Sequence, residues 1–180
     1  MTKTNIPYMN NQEIVDLVTY INRDTEMLEI GGGNSTIFLS KIVKKLVTIE
    51  HDENWSKTIK SEMKKSNFSS NWELHVVKPN WSQSHPFSSA EEGQFINYTN
   101  FILSLANEQF DVILVDGRDR VQCVKNSILK LKKNGVILVH DFWNREKYHS
   151  ILNFEELELI IDVNSYINPS LNTLVAFRKK

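Results

Sequence analysis

A chain of 180 residues that is 41% hydrophobic and 24% charged has the size and composition of one globular domain able to bury a full core. Lys and Arg number 21 against 22 Asp and Glu, a net charge of −1, so no overall charge favours a nucleic acid or an anionic membrane. The single cysteine, Cys123, excludes an internal disulfide and a cysteine-based zinc cluster; no apolar run reaches membrane-spanning length, and Met1 to Pro7 lacks the apolar stretch of a secretory signal. A cytoplasmic domain spanning 1–180 is the expectation.

In chain order, residues 1–24 form a covering segment. Within it, Ile14, Leu17, Val18 and Ile21 recur at helical spacing behind an Asn cap. Met27, Leu28 and Ile30 read as a buried strand that runs into Gly31-Gly32-Gly33, and Ser35 is a suitable N-cap for a helix over Thr36 to Val43. Lys45 to Glu50 is a second strand, Asp52 caps a helix reaching about Lys65, and Asn71 to Val77 is a third strand. Residues 78–93 hold Pro79, Pro86 and four serines without a period and read as a long loop near the site. A helix over Gln94 to Ala106 leads to the clearest buried strand, Phe110 to Asp116. Then come a helix with Val121, Val124, Ile128 and Leu131 on one face, a strand from Val136 to Asp141 opened by Gly135, and a short helix from Glu146 to Leu152. Leu157 to Val163 and Thr173 to Phe177 are two last strands with no helix between them, hence antiparallel. The predicted fold is α/β: seven strands in a Rossmann-like, doubly wound, mostly parallel sheet with an antiparallel C-terminal pair.

In such a sheet the ligand lies beyond the carboxyl ends of the strands. Those ends are polar here: Glu29 with Gly31, Gly32, Gly33, Asn34 and Ser35; Glu50-His51; Trp81 in the long loop; Asp116 with Arg118 and Arg120; and His140-Asp141. A glycine turn entering a helix suits a ligand that approaches the backbone. The dinucleotide pattern G-x-G-x-x-G fails at Thr36, and Glu29 would repel a diphosphate while welcoming a cation. Glu50 stands where a carboxylate can accept ribose hydroxyls. The run Glu29-x-Gly31-x-Gly33-x-Ser35 resembles the first motif of the class I S-adenosylmethionine (SAM) methyltransferases. That resemblance implies a bound SAM at Glu29 to Ser35, Glu50, His51 and Asp116, with Trp81 stacking on the adenine in place of the acid or amide that many members carry after the third strand.

Asp116 and Asp141 also resemble the acid pair of metal-dependent catechol and caffeoyl-CoA O-methyltransferases, but Phe142 stands where those enzymes place Asn and removes an oxygen ligand. A metal-free reaction would use His140 or Asp116 as base for an acceptor hydroxyl. Arg118 and Arg120 are candidates for binding the acceptor, or for ion pairs with Asp116 or Asp119. O-methylation of a small-molecule or carbohydrate-like acceptor is therefore the expected function. A nicotinamide- or nucleotide-dependent enzyme, or a non-catalytic binding module on the same fold, are the alternatives.

Overall fold

The computed structural model describes residues 6–66, 69–80, 94–160 and 173–180. Its strands are β1 (Glu26–Ile30), β2 (Lys45–Glu50), β3 (Trp72–Val76), β4 (Phe110–Val115), β5 (Leu131–Val139), β6 (Leu157–Ile160) and β7 (Val175–Lys179). They form one sheet in the order β3-β2-β1-β4-β5-β7-β6. The first five are parallel, β7 is antiparallel to both β5 and β6, and so β7 alone runs against the rest. From β1 the chain winds outward to β2 and β3, then returns to the other side of β1 for β4. The order therefore reverses between β1 and β4, and a crevice opens at their carboxyl ends.

The central strands are apolar on both faces, as sheets covered on both sides require. Leu28, Ile30, Ile113, Val115 and Ile137 pack beneath Tyr98 and Ile102 of α4 (Ile96–Ser104) and Cys123 and Val124 of α5 (Arg120–Ser127). Met27, Leu46, Leu114 and Leu138 face the other way, against Leu17 of α1 (Asn11–Thr19) and Leu39 of α2 (Asn34–Leu39). Each such fully buried aliphatic side chain contributes about 1.5–3 kcal/mol over its exposed state. α3 (Glu53–Lys64) is polar outside and inserts Ile59 and Met63 against Ile37. Cys123 is fully buried, and burial pushes its thiol well above the ordinary range, consistent with a packed, unreactive residue.

Some local expectations are corrected. The cap of α2 is Gly33, not Ser35, and the helix ends at Leu39, so the chain from Ser40 to Lys44 is turn. Ser35 is instead inside the first turn, where its hydroxyl donates to Glu29 at 2.6 Å. Leu131 begins β5 and is not on a helical face, because α5 stops at Ser127 and a 3-10 turn at Ile128–Lys130 carries the chain back to the sheet. Gly135 lies within β5, near a register shift against β4 between Phe110 and Val112. The segment Glu146–Asn153 is a 3-10 helix. Most of the 78–93 loop, Trp81 included, lies outside the described residues.

Candidate functional site

At the end of β1, Gly31 takes φ +100°, and its N–H donates to the Ile49 carbonyl at 2.8 Å. A Cβ on Gly31 would stand 2.5 Å from both the Cα and the N of Gly117, so glycine is needed here for the close approach of the β1 and β4 turns, not to leave room for a ligand. Gly32 also faces inward, toward Thr48 and Ile59. Only Gly33 leaves its Cβ direction open, with no heavy atom nearer than 3.9 Å. Among the three, Gly33 is the one where a ligand can lie against the backbone.

Two carboxylates brace this corner from below. Glu29 shares the face of Met27 and is completely buried. It accepts hydroxyl hydrogens from Ser35 at 2.6 Å, Thr36 at 2.7 Å and Thr48 at 2.9 Å. The Thr36 hydroxyl in turn accepts from Gly33 N–H, and that of Thr48 from the Trp72 ring N–H, so both have their own hydrogens free to give to Glu29. Burial pushes Glu29 up to about 7, with the three hydroxyls pulling the other way. Glu29 thus sits beneath the turn and not at its mouth, where a ligand's positive charge would meet it. Glu50 at the end of β2 accepts Gly32 N–H at 2.9 Å through Oε2, and His51 and Asp52 N–H at 2.8 Å each through Oε1. A carboxylate has about four lone-pair sites, and Oε2 keeps one of its two for an incoming hydroxyl.

The opposite wall comes from β4 and β5. Asp116 Oδ1 is 2.9 Å from His140 Nδ1 and 3.0 Å from Arg120 Nη2. Arg120 is buried at the start of α5 and also reaches the carbonyls of Gly117, Asp116 and His140, the Asp141 carboxylate at 3.3 Å and the face of Tyr148. Asp141 itself takes φ +53°, an uncommon conformation for a non-glycine residue, which turns the chain directly after β5. His140 Nε2 lies 3.5 Å from Glu13 Oε2. Glu13 completes the cap of α1 by accepting Asn10 N–H, and holds both the N–H and hydroxyl of Thr173. Burial pushes His140 down, but the hydrogen bond and charge of Asp116 outweigh it and the imidazole stands above its ordinary range. Burial pushes Glu13 up, and the bonds from Thr173 and Asn10 bring it below.

Between the two walls lies a cavity of about 430 Å³, inside the range of small-molecule sites. Of the residues expected from sequence, Gly31, Gly32, Gly33, Asn34, Ser35, Glu50, His51, Asp116, Arg118 and Arg120 line it. Glu29, His140 and Asp141 stand behind that lining. Each ring nitrogen of His140 faces a carboxylate, Asp116 at Nδ1 and Glu13 at Nε2. Of the two roles expected for Arg120, the ion pair with Asp116 is present, and its guanidinium also reaches carbonyls at the ends of β4 and β5. Trp55, whose ring N–H donates to the Gly32 carbonyl at 2.8 Å, joins the lining and was not anticipated, and Tyr8 of the N-terminal covering segment lines it too. Glu13 was also missed, although Asn10 followed three residues later by Glu13 is a readable capping box.

Asp116, His140 and Asp141 bring one ligand atom each within 4.8 Å of one another, the spacing a divalent ion would use. The donor set does not fit one. The Arg120 guanidinium already bridges the two carboxylates, and a divalent ion about 4 Å from it would meet a repulsion on the order of 8 kcal/mol at an effective dielectric constant of about 20.

The profile of a family described as a methyltransferase domain matches residues 28–142, from β1 through the turn after β5. The chain belongs to that family. It has the fold of the class I SAM-dependent methyltransferases. A methyltransferase-like protein from Silicibacter pomeroyi superposes with TM-score 0.72 at 23% identity, covering 97% of this chain and 88% of that one. A putative methyltransferase from Streptococcus mutans, solved in complex with SAH, gives 0.60 at 16% identity, covering 96% of this chain and 100% of that one. A tRNA (m1A58) methyltransferase from Aquifex aeolicus gives 0.62 at 20%, covering 100% of this chain and 72% of that one. No curated protein sequence matches the chain. The methyltransferase domain match begins at Leu28 and so includes the glycine turn and the strand ends bearing Glu50, Asp116 and Asp141, but not Glu13 of α1.

Proposed function

We propose that this methyltransferase transfers a methyl group from SAM to a hydroxyl of a small-molecule or carbohydrate-like acceptor. The observation that carries the reading is the cavity at the strand-order reversal, with the open backbone of Gly33 and the braced Glu50 on one wall and Asp116 on the other. When bound, SAM supplies an electrophilic methyl on a sulfonium. The Gly31–Gly33 turn would hold its amino-acid part, and the remaining Oε2 site of Glu50 a ribose hydroxyl. Asp116 would accept the acceptor's hydroxyl proton as the new C–O bond forms and the C–S bond breaks, then release it to solvent. Most of the rate would come from holding two reactants in line.

Similarity to methyltransferases named for tRNA and rRNA favours a nucleic-acid acceptor as the second reading. Against it, Glu50, Asp52 and Asp116 line the cavity, and the chain has no net positive charge to draw a polyanion.

The test is ligand-dependent melting. S-adenosylhomocysteine at about a hundred times its Kd should add about 2.7 kcal/mol of stability, while NAD and ATP add none. Glu50→Ala should weaken its binding by about 1.5–3 kcal/mol, the worth of a hydrogen bond to a charged group. Stabilisation by NAD alone would overturn the reading. Methyl transfer to RNA but to no small hydroxyl compound would replace the acceptor class.

A further inference from the structure

Arg120 makes more contacts at the site than any function assigned so far requires. Its buried guanidinium ends in the space between Asp116 and Asp141, 3.0 and 3.3 Å from their oxygens, and three backbone carbonyls with the Tyr148 ring fix its plane. A group so surrounded cannot swing out to admit another cation without giving up every partner at once. With the Asp116–His140 contact, this side chain ties the carboxyl end of β4 to that of β5.

We infer that Arg120 is a resident cation: it occupies the position that a divalent metal would take between Asp116 and Asp141, and its charge is what closes a latent metal site. The three potential ligands converge within 4.8 Å and two of them are hard oxygens, so the arrangement is that of a metal site with the ion's place filled by protein. A guanidinium holds the acids at fixed spacing without exchange and leaves the methyltransferase independent of divalent ions. Arg120 acts here as a positioning residue for Asp116. The inference concerns metal binding and stands apart from the proposed acceptor.

The test is Mn²⁺ binding to the full chain, followed by electron paramagnetic resonance. Wild type should show no saturable site below about 1 mM, the weak end for oxygen sites. Arg120→Gln, which keeps a planar donor near the carbonyls but no charge, should open a site at least about tenfold tighter than any in wild type, and adding Asp141→Asn should abolish it. Arg120→Lys keeps the charge and should continue to exclude Mn²⁺, a result that a purely structural role for the arginine does not require. Circular dichroism and S-adenosylhomocysteine binding on the same samples report folding and cofactor competence separately from the metal. Saturable Mn²⁺ binding in wild type that is lost on Asp141→Asn would overturn the inference, and this arm stands even where an Arg120 variant fails to fold. A folded Arg120→Gln protein with no gain in Mn²⁺ binding would overturn it equally.

Discussion

The two walls of the cavity solve the same problem with opposite means. On the β1/β2 side, Glu29 and Glu50 are buried and their oxygens are met largely by neutral donors, three hydroxyls for one and three backbone N–H groups for the other. On the β4/β5 side, Asp116 and Asp141 are partly exposed and are met by the Arg120 guanidinium, with the His140 imidazole on Asp116 as well. Neutral donors fix a backbone shape and leave the turn rigid. Ion pairs tie the ends of β4 and β5 to one another and to α5. The first wall is a neutral cradle, the second a charged network, and variants should separate them.

The largest effect expected is at Gly31. Gly31→Ala forces a Cβ into Gly117 at positive φ and should lower stability by about 3 kcal/mol or more, measured by denaturant unfolding. Gly33→Ala should leave stability within about 0.5 kcal/mol, as an unobstructed substitution does, yet reduce S-adenosylhomocysteine affinity at least several-fold. Equal stability losses in the two variants would mean that the cradle is one packed unit with no ligand face.

Glu29→Gln comes next. It places an amide donor against hydroxyls whose hydrogens already point at it, and should cost about 1–3 kcal/mol. It should also change the pH dependence. Because the folded value of Glu29 is pushed from 4.5 up to about 7, wild type loses on the order of 3 kcal/mol as pH rises through that window, and the variant should lack this slope. An unchanged slope would show that Glu29 stays ionised throughout.

On the charged wall, His140 stands above its ordinary 6.5. Its contribution is complete below that value and disappears as pH rises through the folded one, so His140→Gln should remove a stability loss that begins above pH 6.5, measured by melting across pH 6 to 9. A wild-type curve that is flat there would sever the imidazole from Asp116 and Glu13. The smallest effect belongs to Trp55→Phe, which removes a half-exposed hydrogen bond to the Gly32 carbonyl and should cost about 1 kcal/mol or less by denaturant unfolding.

The cradle was easier to read in the sequence than the charged wall. The apolar runs at Leu28, Leu46, Val112 and Val136 and the alternation from Asn71 to Val77 are local signals that place five parallel strands, and two last strands with no helix between them imply the antiparallel end. The three glycines marked the turn for the same reason. What local signals missed depended on partners far along the chain. Ser35 has the composition of a cap, but buried Glu29 claims its hydroxyl. Arg120 reads as an acceptor-binding group or a partner of Asp116 or Asp119, but its contacts with His140 and Asp141, supplied by the next strand, carry no local signal. Leu131 continues a helical spacing that the sheet overrides by pairing it with Phe110.

Glu13 also carries a consequence for the order of events during folding. It grips Thr173 across 160 residues of chain while facing His140. Contacts of such separation are slow to form, because the entropy of closing the intervening loop is lost before any bond repays it. The carboxylate bonds of the glycine cradle, by contrast, all join residues between Glu29 and Asp52, although Gly31 also packs on Gly117 of the turn after β4. The charged wall has to wait for the segment leading into β7, so a chain that has not finished folding would hold the short-range bonds of the first wall but lack the grip of Glu13 behind His140.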